Sequence, residues 1–304
     1  MIKSFSTLAL ISLLILSCDK QEATEIAIIE ETPPPNILFV IADDMGKDAT
    51  PNYSEGQEKP QMPTLEMLAN SGITFDNVWA YPVCSPTRAS IITGKLGYHT
   101  GVLEVEQDIS LSEESLHDFV KSQSNGAYDT ALIGKWHLSN NITDPNNMGI
   151  DYFSGIIGGG VSSYTNWKEV TNGSRTDNTS YTTTAFSSSA IDWISNREKP
   201  WFLWLAFNAP HTPFHLAPAN LHQQGSLPSD DASIAANPLP YYFSAIEALD
   251  KELGRVIAAI PNGLENTIVI FLGDNGTPSQ VIQSPYRFRR AKGSIHQGGI
   301  NVPM

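Results

Sequence analysis

The sequence predicts an α/β fold with a mostly parallel central sheet flanked by helices. Three observations carry that reading. Residues 37–41 and 201–207 are unbroken apolar runs, and 267–272 is apolar after Thr267, the mark of strands buried on both faces. Helical periodicity separates them, clearest over residues 63–69 and 241–260. Each run also ends in a polar cluster, and an open α/β sheet gathers its site along the carboxyl ends of its strands.

The chain has 304 residues, 41% of them apolar, enough to bury one large core. Its net charge of −14 and the lack of any basic stripe argue against nucleic acid as a partner. An anionic small substrate stays open, because the local field of a pocket can oppose the net charge. Cys18 and Cys84 are the only cysteines, and each reads as having its own task, so no disulfide is expected.

At the N-terminus, Lys3 precedes an apolar run over residues 8–16 that leads into Ser17-Cys18, too short to span a membrane. Residues 1–18 are similar to a bacterial lipoprotein signal with Cys18 as the acylated residue; a plain secretory signal is the alternative. Either implies export, and the first implies membrane attachment through a lipid anchor, in the periplasm or at the outer-membrane or cell surface. Residues 19–35 are acidic, end in Pro33-Pro34-Pro35 and lack apolar periodicity, as a tether does. The folded domain is expected over residues 36–304.

Its first strand delivers Ala42-Asp43-Asp44-Met45-Gly46. Two carboxylates at the end of a buried strand repel each other and lose hydration, so a bound divalent cation is the simplest offset. Two solvated aspartates in a loop are the alternative. A helix over 63–69 is closed by Asn70-Ser71-Gly72. Then comes Cys84-Ser85-Pro86-Thr87-Arg88. Proline suits the first turn of a helix, which places Cys84 at or just before a helix N-terminus, where free N–H groups favour anions. Arg88 follows one turn later on the same face and would offer a fork of donors to an oxyanion. A reduced structural cysteine is the plainer reading.

Residues 130–133 read as a strand delivering Gly134-Lys135-Trp136-His137, with Lys135 and His137 directed into one cleft. Residues 155–189, rich in Gly, Ser, Thr and Asn, read as a surface excursion that cannot build core, either framing a pocket mouth or a merely tolerated insertion; a helix resumes near 185–196. The strand at 201–207 ends in Asn208-Ala209-Pro210-His211-Thr212-Pro213, where His211 is pinned between prolines, a rigid setting for proton transfer. His215 and His222 lack that setting and read as surface residues. The helix over 241–260 carries Lys251 and Arg255 on its outer face. The run 267–272 ends in Gly273-Asp274-Asn275-Gly276. Asp43, Asp44, Asp274 and Asn275 together offer an all-oxygen site for a hard cation such as calcium or magnesium. Lys292 adds one more cation for an anionic substrate.

In chain order the sequence therefore holds Asp43-Asp44 after a strand, Cys84-x-Pro86-x-Arg88, Gly134-Lys135-x-His137, Ala209-Pro210-His211-x-Pro213, Gly273-Asp274-Asn275-Gly276, and Lys292-Gly293 ahead of Gly298-Gly299. On these six motifs the chain resembles the sulfatases, formylglycine-dependent, arylsulfatase-like hydrolases with an alkaline phosphatase-like fold. The resemblance implies that a formylglycine-generating maturation enzyme converts Cys84 to Cα-formylglycine. It implies one Ca2+ held by Asp43, Asp44, Asp274, Asn275 and the modified Cys84. It also implies a sulfuric ester hydrolase acting on a sulfated small molecule or polysaccharide. In that scheme a hydroxyl of hydrated residue 84 attacks sulfur, and Arg88 and Lys135 hold the diol. Lys292 and His211 hold sulfate oxygens and protonate the leaving oxygen, and His137 takes the proton of the second hydroxyl.

Where the family usually reads E-G-G-x-R-x-P, this chain has Gln297-Gly298-Gly299-Ile300-Asn301-Val302-Pro303, a departure expected to touch packing rather than chemistry. The smaller C-terminal subdomain that sulfatases carry is expected to be missing from the chain, which ends at Met304. Two other readings stay open: a phosphodiester or phosphonate monoester hydrolase on the same fold, and a non-catalytic surface protein that binds sulfated glycans.

Overall fold

A computed structural model describes residues 33–304. The expected signal segment 1–18 with Cys18, and residues 19–32 of the expected tether, lie outside the described residues. In chain order the elements are β1 (Asn36–Ala42), α1 (Pro63–Ser71), α2 (Cys84–Thr93), α3 (Gly97–Thr100), α4 (Leu116–Gln123), β2 (Asp129–Lys135), α5 (Asp144–Asn147) and β3 (Tyr152–Ile156). There follow β4 (Trp167–Thr171), β5 (Ser174–Asn178), α6 (Thr182–Ser195), β6 (Trp201–Ala206), α7 (Asp231–Ala236), α8 (Leu239–Ala258), β7 (Thr267–Gly273) and α9 (Gln297–Ile300).

The strands form one sheet in the order β5-β4-β3-β2-β6-β1-β7. From β3 to β7 every pairing is parallel, with Ile37 of β1 opposite Phe202 of β6 on one side and Ile268 of β7 on the other. The expected α/β class is therefore the observed one. Along β1 and β6 the apolar runs are unbroken because alternate side chains serve two separate cores. Strand β7, expected to be buried on both faces, is instead an edge strand with Ile268 exposed and Val269 and Ile270 half-buried. Leu38 and Val40 face a cluster completed by Phe186 of α6 and by Tyr242, Ile246 and Leu249 of α8. Phe39 and Ile41 face the other, with Ala89 and Ile92 of α2.

Helix starts are fixed by specific donors and acceptors. Pro63 opens α1, and the next two N–H groups, of Thr64 and Leu65, donate to the Asp250 carboxylate of α8 at 3.0 and 2.8 Å. A helix N-terminus favours that charge, although burial still raises the Asp250 carboxyl to about 6. Ser115 caps α4 by accepting from Asp118 N–H at 3.0 Å.

Two expectations are corrected here. Residues 155–189 are not a bare surface excursion. β4 and β5 pair antiparallel through Asn172-Gly173, both at positive φ (45° and 77°), the signature of a tight two-residue hairpin that extends the sheet. Tyr164, Trp167, Val170, Tyr181 and Phe186 within that stretch are buried. The polar composition hid apolar residues at strand and helix spacing. His222 is not a surface residue either, and His215 is half-buried. His215 Nε2 lies 2.9 Å from the Tyr181 hydroxyl, with its ring stacked on Tyr164 at 3.9 Å, and His222 is buried. Burial holds His215 neutral, at about 4.

Candidate active site

The site lies where β1, β2 and β7 end against the start of α2. Val83 is extended, Cys84 opens the helix, Pro86 falls in its first turn, and Gly94 ends it in the left-handed conformation (φ 64°). First-turn N–H groups have no partner inside a helix, so the proline removes no helical bond. Cys84 is buried, with Sγ 3.2 Å from His137 Nδ1 and 3.5 Å from Lys135 Nζ. Burial pushes its thiol up, with Lys135 opposing.

Arg88 comes round to the same region but does not offer its fork to an oxyanion. Nε and Nη2 donate to Asp274 Oδ2 at 3.1 and 2.8 Å, and Nη1 donates to the Lys135 carbonyl at 2.9 Å. A fully buried guanidinium is costly without a carboxylate partner, and the end of β7 supplies one. Arg88 thus fastens α2 to the ends of β2 and β7.

Asp43, Asp44 and Asp274 are buried. Asp43 Oδ2 accepts from Lys135 Nζ. Burial works against the Asp43 charge, but Lys135, His211 and Arg88 outweigh it and hold the carboxyl below its usual range. Asp274 is raised, by burial first and then by Asp43. Asp44 adopts the left-handed region (φ 71°), which turns its carboxylate toward Lys292 Nζ, at 2.6 and 2.7 Å, and Asn275 Nδ2, at 2.8 Å. Its backbone is held by Tyr242, whose hydroxyl donates to the Asp44 carbonyl at 2.7 Å.

A cation fits these residues. Among the described residues, Asp43 Oδ1 and Asn275 Oδ1 are buried acceptors without a donor, each a cost of about 1–3 kcal/mol that a cation would remove. Asp43, Cys84 and Asp274 bring one ligand atom each within 4.8 Å of one another, as do Asp43, Asp44 and His211. Oxygen donors suit a hard ion. Arg88, Lys135 and Lys292 balance the three carboxylates, so a divalent cation bound there would leave a positive local field that favours an anionic ester.

His137 also lies in the left-handed region (φ 55°), a conformation non-glycine residues adopt where the surroundings enforce it. Its Nε2 is 3.3 Å from Glu106 Oε1. Burial, then Lys135 and Arg88, push the ring down to about 2. His211 Nδ1 lies 2.8 Å from the Thr212 carbonyl, and Nε2 lies 3.8 Å from Asp44 Oδ2. The glycine loop covers both rings: a Cβ on Gly159 would lie 2.5 Å from His137 Nε2, and one on Gly160 3.3 Å from His211 Nδ1. Lys292 is delivered by the closing segment, where its N–H donates to the Thr277 carbonyl at 3.0 Å and Gly276 N–H donates to the Gly299 carbonyl at 2.9 Å.

All ten expected positions, Asp43, Asp44, Cys84, Arg88, Lys135, His137, His211, Asp274, Asn275 and Lys292, meet in this one place. The sequence reading missed Glu106, Tyr164 and Tyr242. Glu106 carried no signal beyond an acidic loop. Tyr164, an aromatic in a polar tract, was a clue: its hydroxyl donates to the carbonyls of Asn208 and His211 at 2.9 and 2.6 Å. Tyr242 was concealed in the apolar stripe of α8.

The family profile described as Sulfatase matches residues 35–304. Among curated proteins, arylsulfatase J of Mus musculus is 29% identical over 295 residues, covering 89% of this chain and 47% of that protein. N-acetylglucosamine-6-O-sulfatase of Bacteroides thetaiotaomicron is 33% identical over 199 residues, covering 63% of this chain and 33% of that protein. The crystal structure of Ps i-CgsB in complex with k-i-k-neocarrahexaose superposes with a TM-score of 0.74 at 25% identity, covering 89% of this chain and 65% of that one. The chain spans about half the length of arylsulfatase J and a third of the bacterial enzyme. With one profile matching nearly every described residue, the chain belongs to the sulfatase family.

Proposed function

We propose that the chain carries the catalytic site of an arylsulfatase-like sulfuric ester hydrolase that cleaves sulfate monoesters of carbohydrates. One observation carries it: residue 84 opens a helix between His137 and Lys135, beside a buried carboxylate cluster that holds two acceptors without donors. Converted to hydrated Cα-formylglycine and bound to calcium, residue 84 would supply a strongly nucleophilic hydroxyl. Asp43, Asp44, Asp274 and Asn275 would hold the ion, and Arg88 would keep Asp274 in place. Lys135 would compensate charge at residue 84. Lys292 would hold sulfate oxygens, and His211, taking up a second proton on Nε2 beside the bound anionic ester, would protonate the leaving alcohol oxygen. His137 Nδ1 would accept the second proton at residue 84.

The substrate class is supported by the N-acetylglucosamine-6-O-sulfatase and the k-i-k-neocarrahexaose complex among the similar proteins. Export and a lipid anchor at Cys18 are proposed from the sequence alone. The test is a paired assay of the chain matured by a formylglycine-generating enzyme. Aryl sulfate turnover well above turnover of an aryl phosphodiester is the expected result, and faster phosphodiester cleavage would overturn the reading.

A further inference from the structure

The two histidines beside residue 84 are held through opposite ring nitrogens. His211 turns Nδ1 to the Thr212 carbonyl at 2.8 Å. A carbonyl only accepts, so Nδ1 carries the proton and Nε2 is left facing Asp44. His137 is turned the other way, with Nδ1 3.2 Å from Cys84 Sγ and Nε2 3.3 Å from Glu106 Oε1. A carboxylate likewise accepts, which puts the proton on Nε2 and the Nδ1 lone pair against residue 84.

We propose that Glu106 is a positioning residue: it fixes His137 as the Nε2–H tautomer, so that Nδ1 is the proton acceptor at residue 84 while His211 is held as the opposite tautomer. The arrangement parallels a nucleophile, a base and a carboxylate that orients the base.

Glu106 is 63% exposed, and an exposed glutamate would ordinarily be free. This one is built in. It is a non-glycine residue in the left-handed region (φ 61°), which costs about 1–3 kcal/mol and persists only where neighbours enforce it. The Gln107 side chain closes the turn by accepting from the N–H groups of Leu103 and Glu104 at 2.6 and 3.0 Å. Ile109 N–H then donates to the Leu138 carbonyl at 2.8 Å, which ties the loop to the residue after His137. On the other side, His137 N–H donates to the Ile157 carbonyl at 2.9 Å, and Gly159 leaves Nε2 free of any covering side chain.

The proton-acceptor role rests on the sulfatase reading; the tautomer assignment does not. The experiment is long-range 1H–15N NMR on the full chain with 15N-labelled histidine, the His137 and His211 signals assigned by their loss in His137→Asn and His211→Asn. Wild type is expected to show Nε2–H for His137 and Nδ1–H for His211. Glu106→Ala is expected to convert His137 to a tautomer mixture and leave His211 unchanged, and Glu106→Gln, which keeps an acceptor oxygen, to retain most of the Nε2–H form. A wild-type His137 protonated on Nδ1, or a tautomer indifferent to Glu106→Ala, would overturn the proposal. In the matured chain, Glu106→Ala should lower kcat for an aryl sulfate about ten-fold, part of what general-base catalysis supplies. KM should stay within about two-fold, since substrate binding is untouched. Absence of turnover in wild type, with the tautomers as expected, would count against the sulfatase reading and not against Glu106.

Discussion

Asp43, Cys84, Arg88, Lys135 and Asp274 are each at most 1% exposed, whereas side-chain exposure is 20% at His211, 22% at Lys292 and 63% at Glu106. The first set comes from strand ends and one helix start, and its charges neutralise one another inside the protein. The second comes from loops and reaches the pocket through a few directed hydrogen bonds. Energetics separate them as well. Inner charges are costly to uncouple, because water cannot replace a lost partner. Rim contacts contribute little to folding, yet they set which ring nitrogen or ammonium meets the substrate.

That contrast can be broken in order of size. Cys84→Ala should reduce sulfate ester turnover to background while leaving the fold intact, read by aryl sulfate assay alongside circular dichroism. Asp274→Ala strands Arg88 without its bidentate partner, so urea unfolding should show a loss of about 3–5 kcal/mol. A loss under about 1 kcal/mol would mean that the inner ring is no tighter than a surface pair.

Away from the site, His117 is fully buried against Phe202 and Trp204, and burial pushes its ring from 6.5 down to about 4. The folded state therefore binds fewer protons than the unfolded chain between these values. Stability should be complete above about 6.5 and fall as pH drops toward 4, by up to about 3 kcal/mol from this group. His117→Phe should flatten that slope in pH-dependent urea melts; an unchanged slope would assign it elsewhere. At the rim, Gly159→Ala drives a methyl into His137 Nε2. Turnover should fall about a hundred-fold, as misplacement of a catalytic group does, with the unfolding free energy changed by less than about 1 kcal/mol.

The same division explains what could be read from the sequence. Strand runs such as 37–41 are long, apolar and followed directly by Asp43-Asp44, so burial and site position were visible together. Pro86 marked the start of α2, and with it the place of Cys84. Arg88 was placed correctly but aimed wrongly, because spacing along a helix does not reveal that Asp274, 186 residues later, supplies the carboxylate that takes its fork. Tyr164 and the β4–β5 hairpin were lost in a polar tract whose few aromatics do the packing. Glu106 matters through His137, 31 residues on, and a contact made that far along the chain leaves no local pattern.

The central claim is that residue 84 is a nucleophile made by modification rather than a buried structural thiol. Its most direct test is the mass of the peptide spanning Cys84, from chain produced with a formylglycine-generating enzyme shown to act on a control. An aldehyde or its hydrate at residue 84 is the predicted result. An unmodified thiol under those conditions would contradict the account.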